Sequence, residues 1–215
     1  MLDYLHQTAW PSQLQPWQSP INLEPAAIKE ETPKRSVVSF LTPYQFDSIE
    51  HRGNNLQFNG HGQARLNGRT FNFQQLHFHF PAEHLLDGKR YPLEWHFAHQ
   101  NKLGQQAVVA FWVREGPTDQ MMAPFYQRFS FNEGQKRLLP VKLALPEIQE
   151  QHSRAVFNYL GSLTTPPLTR GVEWWILQQP LSAAKFQLQQ LHQQFLQANA
   201  RQVQPLLSRP IILYT

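Results

Sequence analysis

Between Gln75 and Phe80 the chain reads Gln-Leu-His-Phe-His-Phe, with apolar and polar side chains in strict alternation. Period two is the signature of an extended strand, whose successive side chains leave opposite faces. Gln75, His77 and His79 therefore share one face, and Leu76, Phe78 and Phe80 the other. The same pattern returns in Leu93-Glu94-Trp95-His96-Phe97-Ala98-His99. Asp87-Gly88-Lys89-Arg90 lies between, a turn-prone stretch that suits adjacent antiparallel strands. In that pairing His96 joins His77 and His79 on one side of a sheet whose other side is apolar.

An isolated His-x-His pair is most simply two strand histidines facing solvent. Here the neighbours argue otherwise. Gln75 sits on the face of His77 and His79, and Glu94 on that of His96, where each can hold a distal ring nitrogen and set the tautomer that binds metal. Three imidazoles with no fourth protein ligand is the donor set of a catalytic zinc, with one coordination position open. The chain has no cysteine. That excludes disulfides, thiolate nucleophiles and cysteine-ligated zinc, and it fits a reducing compartment.

With 215 residues, 41% of them hydrophobic and 13% aromatic, the chain can bury one substantial core, and a single domain over 1–215 is expected. Pro11, Pro16, Pro20, Pro25 and Pro33 make residues 1–35 an arm with little regular structure, anchored by Trp10 and Trp17. The net charge of +4 is scattered, and no basic run is interleaved with aromatics, so no nucleic-acid partner is expected. Positive potential can still draw an anion towards a cleft. Met1 to Gln7 lacks a basic leader and no stretch approaches membrane-spanning length, so the expectation is a soluble, cytoplasmic protein without a membrane partner.

Short alternating runs mark strands at Ser36 to Phe40, Leu56 to Asn59, Phe71 to Phe80, Leu93 to His99, Ala107 to Arg114 and Val172 to Leu177. Two helices are expected, Thr118 to Phe129 and Ser182 to Asn199. The second carries Leu188, Leu191 and Phe195 at helical spacing, with Ser182 as N-cap.

Gln75-Leu76-His77-Phe78-His79 with Glu83-His84, then Glu94-Trp95-His96-Phe97-Ala98-His99, then Gly161-Ser162-Leu163-Thr164-Thr165-Pro166-Pro167-Leu168, together resemble the alpha class of carbonic anhydrases, in its cysteine-free bacterial form. Gln18-Ser19-Pro20-Ile21-Asn22-Leu23 resembles the N-terminal signature of that family, and Asn199-Ala200-Arg201, Gln204-Pro205-Leu206 and Arg209 the C-terminal one. The matches run in family order from about residue 17 to about residue 211.

The resemblance implies a mainly β fold, with a central twisted, mostly antiparallel sheet of about ten strands and peripheral helices. It implies Zn2+ on His77, His79 and His96, and reversible hydration of carbon dioxide to bicarbonate by zinc-bound hydroxide. In the family pattern Thr164 orients the nucleophile and donates its own hydroxyl proton to a buried Glu83, although Glu83 alone could be a surface carboxylate. Ala98, Val108, Leu163, Thr165, Val172 and Trp174 match the substrate pocket, and several of them read equally well as ordinary core. His84, His99 and Tyr159, with Ser19, match buried polar positions supporting the site. Oligomeric state, monomer or homodimer, is left open.

One position departs from the family. Where a proton-shuttling histidine often stands, this chain has Asn54, with Arg52 two residues earlier on the same face and His51 pointing away by alternation. Leu160 before Gly161 is a further departure. Two rival readings remain at this point. His77-Phe78-His79 with Glu83 also fits the His-x-His-x3-Glu spacing of cupin metalloenzymes, which would bring iron or manganese. A catalytically silent carbonic-anhydrase-like binding domain is the other, disfavoured because all three histidines, Glu83 and Thr164 are present.

Overall fold

The computed structural model describes residues 2–10, 15–151, 155–194 and 197–215. In chain order the strands are β1 (Asn22–Leu23), β2 (Lys29–Glu31), β3 (Val38–Phe40), β4 (Tyr44–His51), β5 (Leu56–His61), β6 (Gln63–Leu66), β7 (Arg69–His79) and β8 (Leu85–Leu86). They continue as β9 (Lys89–Arg90), β10 (Leu93–Gln100), β11 (Gln106–Glu115), β12 (Lys136–Leu143), β13 (Val156–Ser162), β14 (Arg170–Ala183) and β15 (Ile211–Tyr214). Two α-helices are described, α1 (Leu145–Gln151) and α2 (Lys185–His192).

A twelve-stranded sheet runs β12-β4-β5-β7-β10-β11-β14-β13-β15-β2, with β6 pairing both β7 and β3. Neighbours are antiparallel except β11 with β14 and β15 with β2, so the sheet is mixed. The expectation of a large, mostly antiparallel sheet with few helices holds. Local sequence explains much of the pairing. Asn67-Gly68 between β6 and β7, and Asp87-Gly88 between β8 and β9, both take positive φ, the conformation two-residue hairpin turns require. The connection from β7 to β10 thus contains its own hairpin, which joins β1 in a small three-stranded sheet.

The central strands are covered on both faces. Leu76, Phe78, Trp95, Phe97 and Phe111 pack with Phe58, Phe125 and Leu191 in one cluster. On the other face Val108, Ala110, Trp112 and Trp174 pack with Ile21 and Leu23. Burial on both sides is why β11 reads as a nearly continuous apolar run rather than an alternating one.

Three expectations are corrected. Thr118 to Phe129 contains only a 3-10 turn at Ala123–Phe125, because Pro124 offers no N–H and its ring obstructs the preceding turn of a longer helix. The later helix spans Lys185–His192 rather than Ser182 to Asn199. Ser182 belongs to β14, and the helix is capped by Gln187, whose Oε1 accepts the Ala184 N–H at 3.0 Å. Leu188 and Leu191 are buried as the spacing predicted, while Phe195 lies outside the described residues. The described residues among the first 35 carry two strands, β2 at the edge of the twelve-stranded sheet and β1 in the small one. Trp10 is their buried anchor, whereas Trp17 is 38% exposed.

His99 is also placed differently from the expectation. Alternation along β10 sets it on the side of Trp95 and Phe97, where the Tyr44 hydroxyl donates to Nε2 at 2.7 Å and Phe73 packs edge-on. Burial pushes its pKa down from 6.5 to about 4. Between those values the unfolded chain binds a proton that the folded chain refuses, so stability rises with pH across that window and is lost as pH falls from about 6.5 to about 4. The expected contribution is on the order of 3 kcal/mol. Denaturant unfolding measured from pH 7 to pH 4 should show this slope, and His99→Gln should reduce it; an unaltered slope would remove His99 as a source.

Candidate metal centre

Cross-strand register assembles the three histidines. In the antiparallel pair β7–β10, His96 stands opposite His77, and Glu94 opposite His79. The ring centroids lie 5.1 Å apart for His77–His79 and His77–His96, and 4.7 Å for His79–His96. One ligand nitrogen from each falls within 4.8 Å of the others.

Each ring is tied through one nitrogen, which decides the atom left for a metal. The Nδ1–H of His77 donates to Gln75 Oε1 at 2.9 Å, leaving Nε2. The Nδ1–H of His79 donates to the Asn199 carbonyl at 2.7 Å, and its Nε2 is buried with no partner among the described residues. The Nε2–H of His96 donates to Glu94 Oε1 at 2.9 Å, leaving Nδ1. Burial, followed by the neighbouring imidazoles, holds His77 well below its usual pKa, and burial lowers His79. Neutral imidazoles with free lone pairs are the form that binds a cation. An orphaned, fully buried ring nitrogen beside two others is the environment a metal completes, so the donor set fits zinc.

Behind His96 lies a buried chain of hydrogen bonds. Glu94 accepts from the backbone N–H groups of Glu83 and His84, both at 2.9 Å, and from His84 Nδ1 at 2.7 Å. Burial raises the Glu94 pKa, but His84 and His96 outweigh it and hold the carboxyl well below its ordinary value. His84 Nε2 then accepts from the Tyr159 hydroxyl at 2.6 Å, which accepts from Ser19 Oγ at 2.8 Å. Ser19 Oγ accepts in turn from the Ser162 N–H at 3.1 Å. Gly161 is required in this crossing, since a Cβ there would collide with Ser19 Oγ. Of the buried polar group expected beside the site, His84, Tyr159 and Ser19 form this chain, and His99 does not belong to it.

The chain ends at the loop that carries Thr164. Leu163 N–H donates to Thr169 O and Leu168 N–H to Thr165 O, so the segment between β13 and β14 is closed on itself. Thr164 is 5% exposed. Glu83 is fully buried; its Oε1 accepts the Arg201 N–H at 2.8 Å, and its Oε2 has no partner among the described residues. A hydroxyl reaching Oε2 would be a donor by necessity, because an ionised carboxylate only accepts.

Beside the histidines stands an apolar wall. Ala98 follows His96 on the same face of β10 and pairs Val108, which pairs Trp174. Trp174 lies edge-on to His96 with centroids 4.9 Å apart and is steadied by its Nε1–H donating to Ser162 O. Val172 is buried in the same cluster, and Leu163 packs on it; Thr165 is half-buried on the loop.

Asn54 does not offer its side chain to the cleft. Both of its polar atoms are occupied by Leu2: Nδ2 donates to Leu2 O at 2.9 Å and Oδ1 accepts the Leu2 N–H at 2.7 Å. Arg52 pairs with Glu50 at 2.8 Å, and the His51 ring takes the Gly53 N–H on Nδ1 and packs against Phe131. Asn199 is the residue that reasoning from local pattern missed. It lies 120 positions from His79, and its one signal was the Asn199-Ala200-Arg201 motif.

A family model for eukaryotic-type carbonic anhydrases matches residues 5–215. A carbonic anhydrase of Pectobacterium atrosepticum is 32% identical over 197 residues, covering 91% of this chain and 79% of that protein. Among solved structures, an alpha-carbonic anhydrase of Photobacterium profundum superposes with a TM-score of 0.79 at 31% identity, covering 91% of this chain and 88% of that one. An alpha-carbonic anhydrase of Thermovibrio ammonificans, solved with the inhibitor sulfanilamide, gives 0.81 at 29% identity, covering 91% and 86%. These matches leave no place for the cupin reading. Fold, strand register and sequence agree that the chain belongs to the eukaryotic-type, or alpha, carbonic anhydrase family, whose members are lyases that hydrate carbon dioxide.

Proposed function

We propose that this chain hydrates carbon dioxide at the three-histidine centre, holding zinc through His77 Nε2, His79 Nε2 and His96 Nδ1. The observation that carries the reading is the set of tautomers: each ring is tied at one nitrogen, and the three free nitrogens converge. Zinc bound there would act as a Lewis acid that brings the ionisation of water close to neutral pH. Gln75, Asn199 O and Glu94 keep the rings from rotating away from it.

Thr164 then sets the direction of attack. Were its hydroxyl to donate to the open Oε2 of Glu83, its lone pair could accept only from a nucleophile that still carries a proton. The attacking oxygen is thereby turned to present a lone pair to carbon dioxide. Ala98, Val108, Leu163, Val172 and Trp174 form the dry side on which an apolar gas can rest, with Thr165 at its edge. The protein is thus read as a small-molecule enzyme; no described helix is long and apolar enough to cross a membrane. A single domain over 1–215 and a cytoplasmic setting remain part of this proposal.

The histidine assignment predicts about one zinc per chain by metal analysis, and His96→Ala should lose most of it, since two histidines fall short of a catalytic zinc donor set. Full zinc occupancy in His96→Ala would overturn the assignment. Thr164→Ala should retain zinc while hydration turnover in stopped flow falls roughly tenfold or more, the scale of losing one positioned hydrogen bond in the transition state; unchanged turnover would remove Thr164 from the mechanism.

Because Asn54 cannot titrate and is engaged by Leu2, proton export should limit turnover in dilute buffer. Imidazole-type buffers should raise kcat and leave kcat/KM unchanged. Asn54→His sacrifices both bonds to Leu2, so its gain in kcat should be smaller than that from added buffer. A kcat indifferent to buffer would mean that another group, His51 first, already carries the proton.

A further inference from the structure

Gln7 is a buried glutamine, 6% exposed, in a part of the chain that the chemistry of the site does not use. Its carboxamide is fully engaged. Nε2 donates to Tyr4 O at 2.9 Å and to Ala200 O at 3.1 Å, while Oε1 accepts the Gln202 N–H at 2.8 Å. A side-chain amide that takes a carbonyl and an N–H two residues apart does what a neighbouring strand would do.

The segment it grips is the one that supports the metal centre from behind. In an extended chain, backbone groups of alternate residues point to opposite sides. Ala200 O and Gln202 N–H face Gln7. The alternate pair, Asn199 O and Arg201 N–H, faces inward and bonds His79 Nδ1 at 2.7 Å and Glu83 Oε1 at 2.8 Å. One short peptide therefore carries the acceptor that orients a metal-binding ring and the donor that holds Glu83, and Gln7 fixes it from the outer side.

Asn54 closes the arrangement. It clamps Leu2 through its own carboxamide, and its carbonyl accepts the Asn199 Nδ2–H at 2.9 Å. Tyr4 and Trp10 pack with Leu168, at the end of the Thr164 loop. The N-terminal residues are thus strapped down at Leu2 and at Gln7, and both fastenings converge on Asn199.

We propose that Gln7 is a positioning residue for the metal centre, acting through Asn199–Arg201 on His79 and Glu83, and that the N-terminal strap slows loss of the metal. The inference rests on the zinc assignment made above. Partners in contact with a ligand typically change metal affinity 10–100-fold; one layer further out, about a fivefold effect is expected.

The test is the rate at which zinc-loaded protein surrenders its metal to a chelator, followed by a chelator absorbance change rather than by activity. Gln7→Ala should release zinc about five times faster than the parent chain. Gln7→Met, which keeps the buried volume but not the hydrogen bonds, should do the same, and it serves where Gln7→Ala fails to fold. Arg69→Gln breaks the two-point pairing with Glu173 far along the chain from the strap and reports the effect of general destabilisation; its release rate should match the parent. Zinc uptake by the parent with unchanged release in Gln7→Met would overturn the positioning role alone. Equal acceleration in Arg69→Gln would also overturn it, and a parent chain that takes up no zinc would overturn the metal assignment and this inference with it.

Discussion

The Glu94 carboxylate is the interaction on which the rest of the site depends. Fully buried, it accepts from two backbone N–H groups and from two imidazoles. Ionised and surrounded by four donors, it holds His96 in the tautomer that frees Nδ1, pins the turn at Glu83-His84, and starts the chain through Tyr159 and Ser19 to Ser162. A buried charge with fewer partners would cost several kcal/mol. With these partners it becomes a hub that neither a neutral amide nor a shorter carboxylate reproduces, since one lacks two acceptors and the other lacks reach.

The fold explains why so many polar groups can be buried at one place. The central strands present aromatic side chains on one face, in the cluster around Phe78, Trp95 and Phe97, and the ligand set on the other. A hydrogen-bonded sheet satisfies its own backbone, so the polar side chains of the opposite face need only satisfy one another. They do so with few exceptions. Two of these are His79 Nε2 and Glu83 Oε2, both within the candidate metal centre.

Support for the centre comes from both ends of the chain. Asn199–Arg201 meets His79 and Glu83, and Leu2 and Gln7 meet Asn54, Ala200 and Gln202. Asn54, which the family motif suggests as the place of a proton-transferring histidine, fastens the N-terminal segment here. Asn54 suits that use because its carboxamide, unlike an imidazole, can pair with a backbone N–H and C=O of the same residue.

The sequence by itself determined the strands that bear the ligands, the face on which His77, His79 and His96 lie, and the partners Gln75 and Glu94, because period-two alternation and a spacing of two are local properties of an extended backbone. It determined the Asn67-Gly68 and Asp87-Gly88 turns for the same reason, as local backbone requirements. Family motifs pointed to the remainder of the candidate site, Thr164 and Glu83 included. Tertiary structure alone decided that Asn199 O, 120 residues away, holds His79, that Tyr44 takes the ring of His99, and that the side chain of Asn54 turns to Leu2. It also decided where the apolar residues of the Thr118 to Phe129 stretch pack, although the limit that Pro124 sets on a helix there is itself local. These features depend on contacts between segments distant in sequence, and on competition between a side chain's own preference and the space its neighbours leave, neither of which a local pattern records.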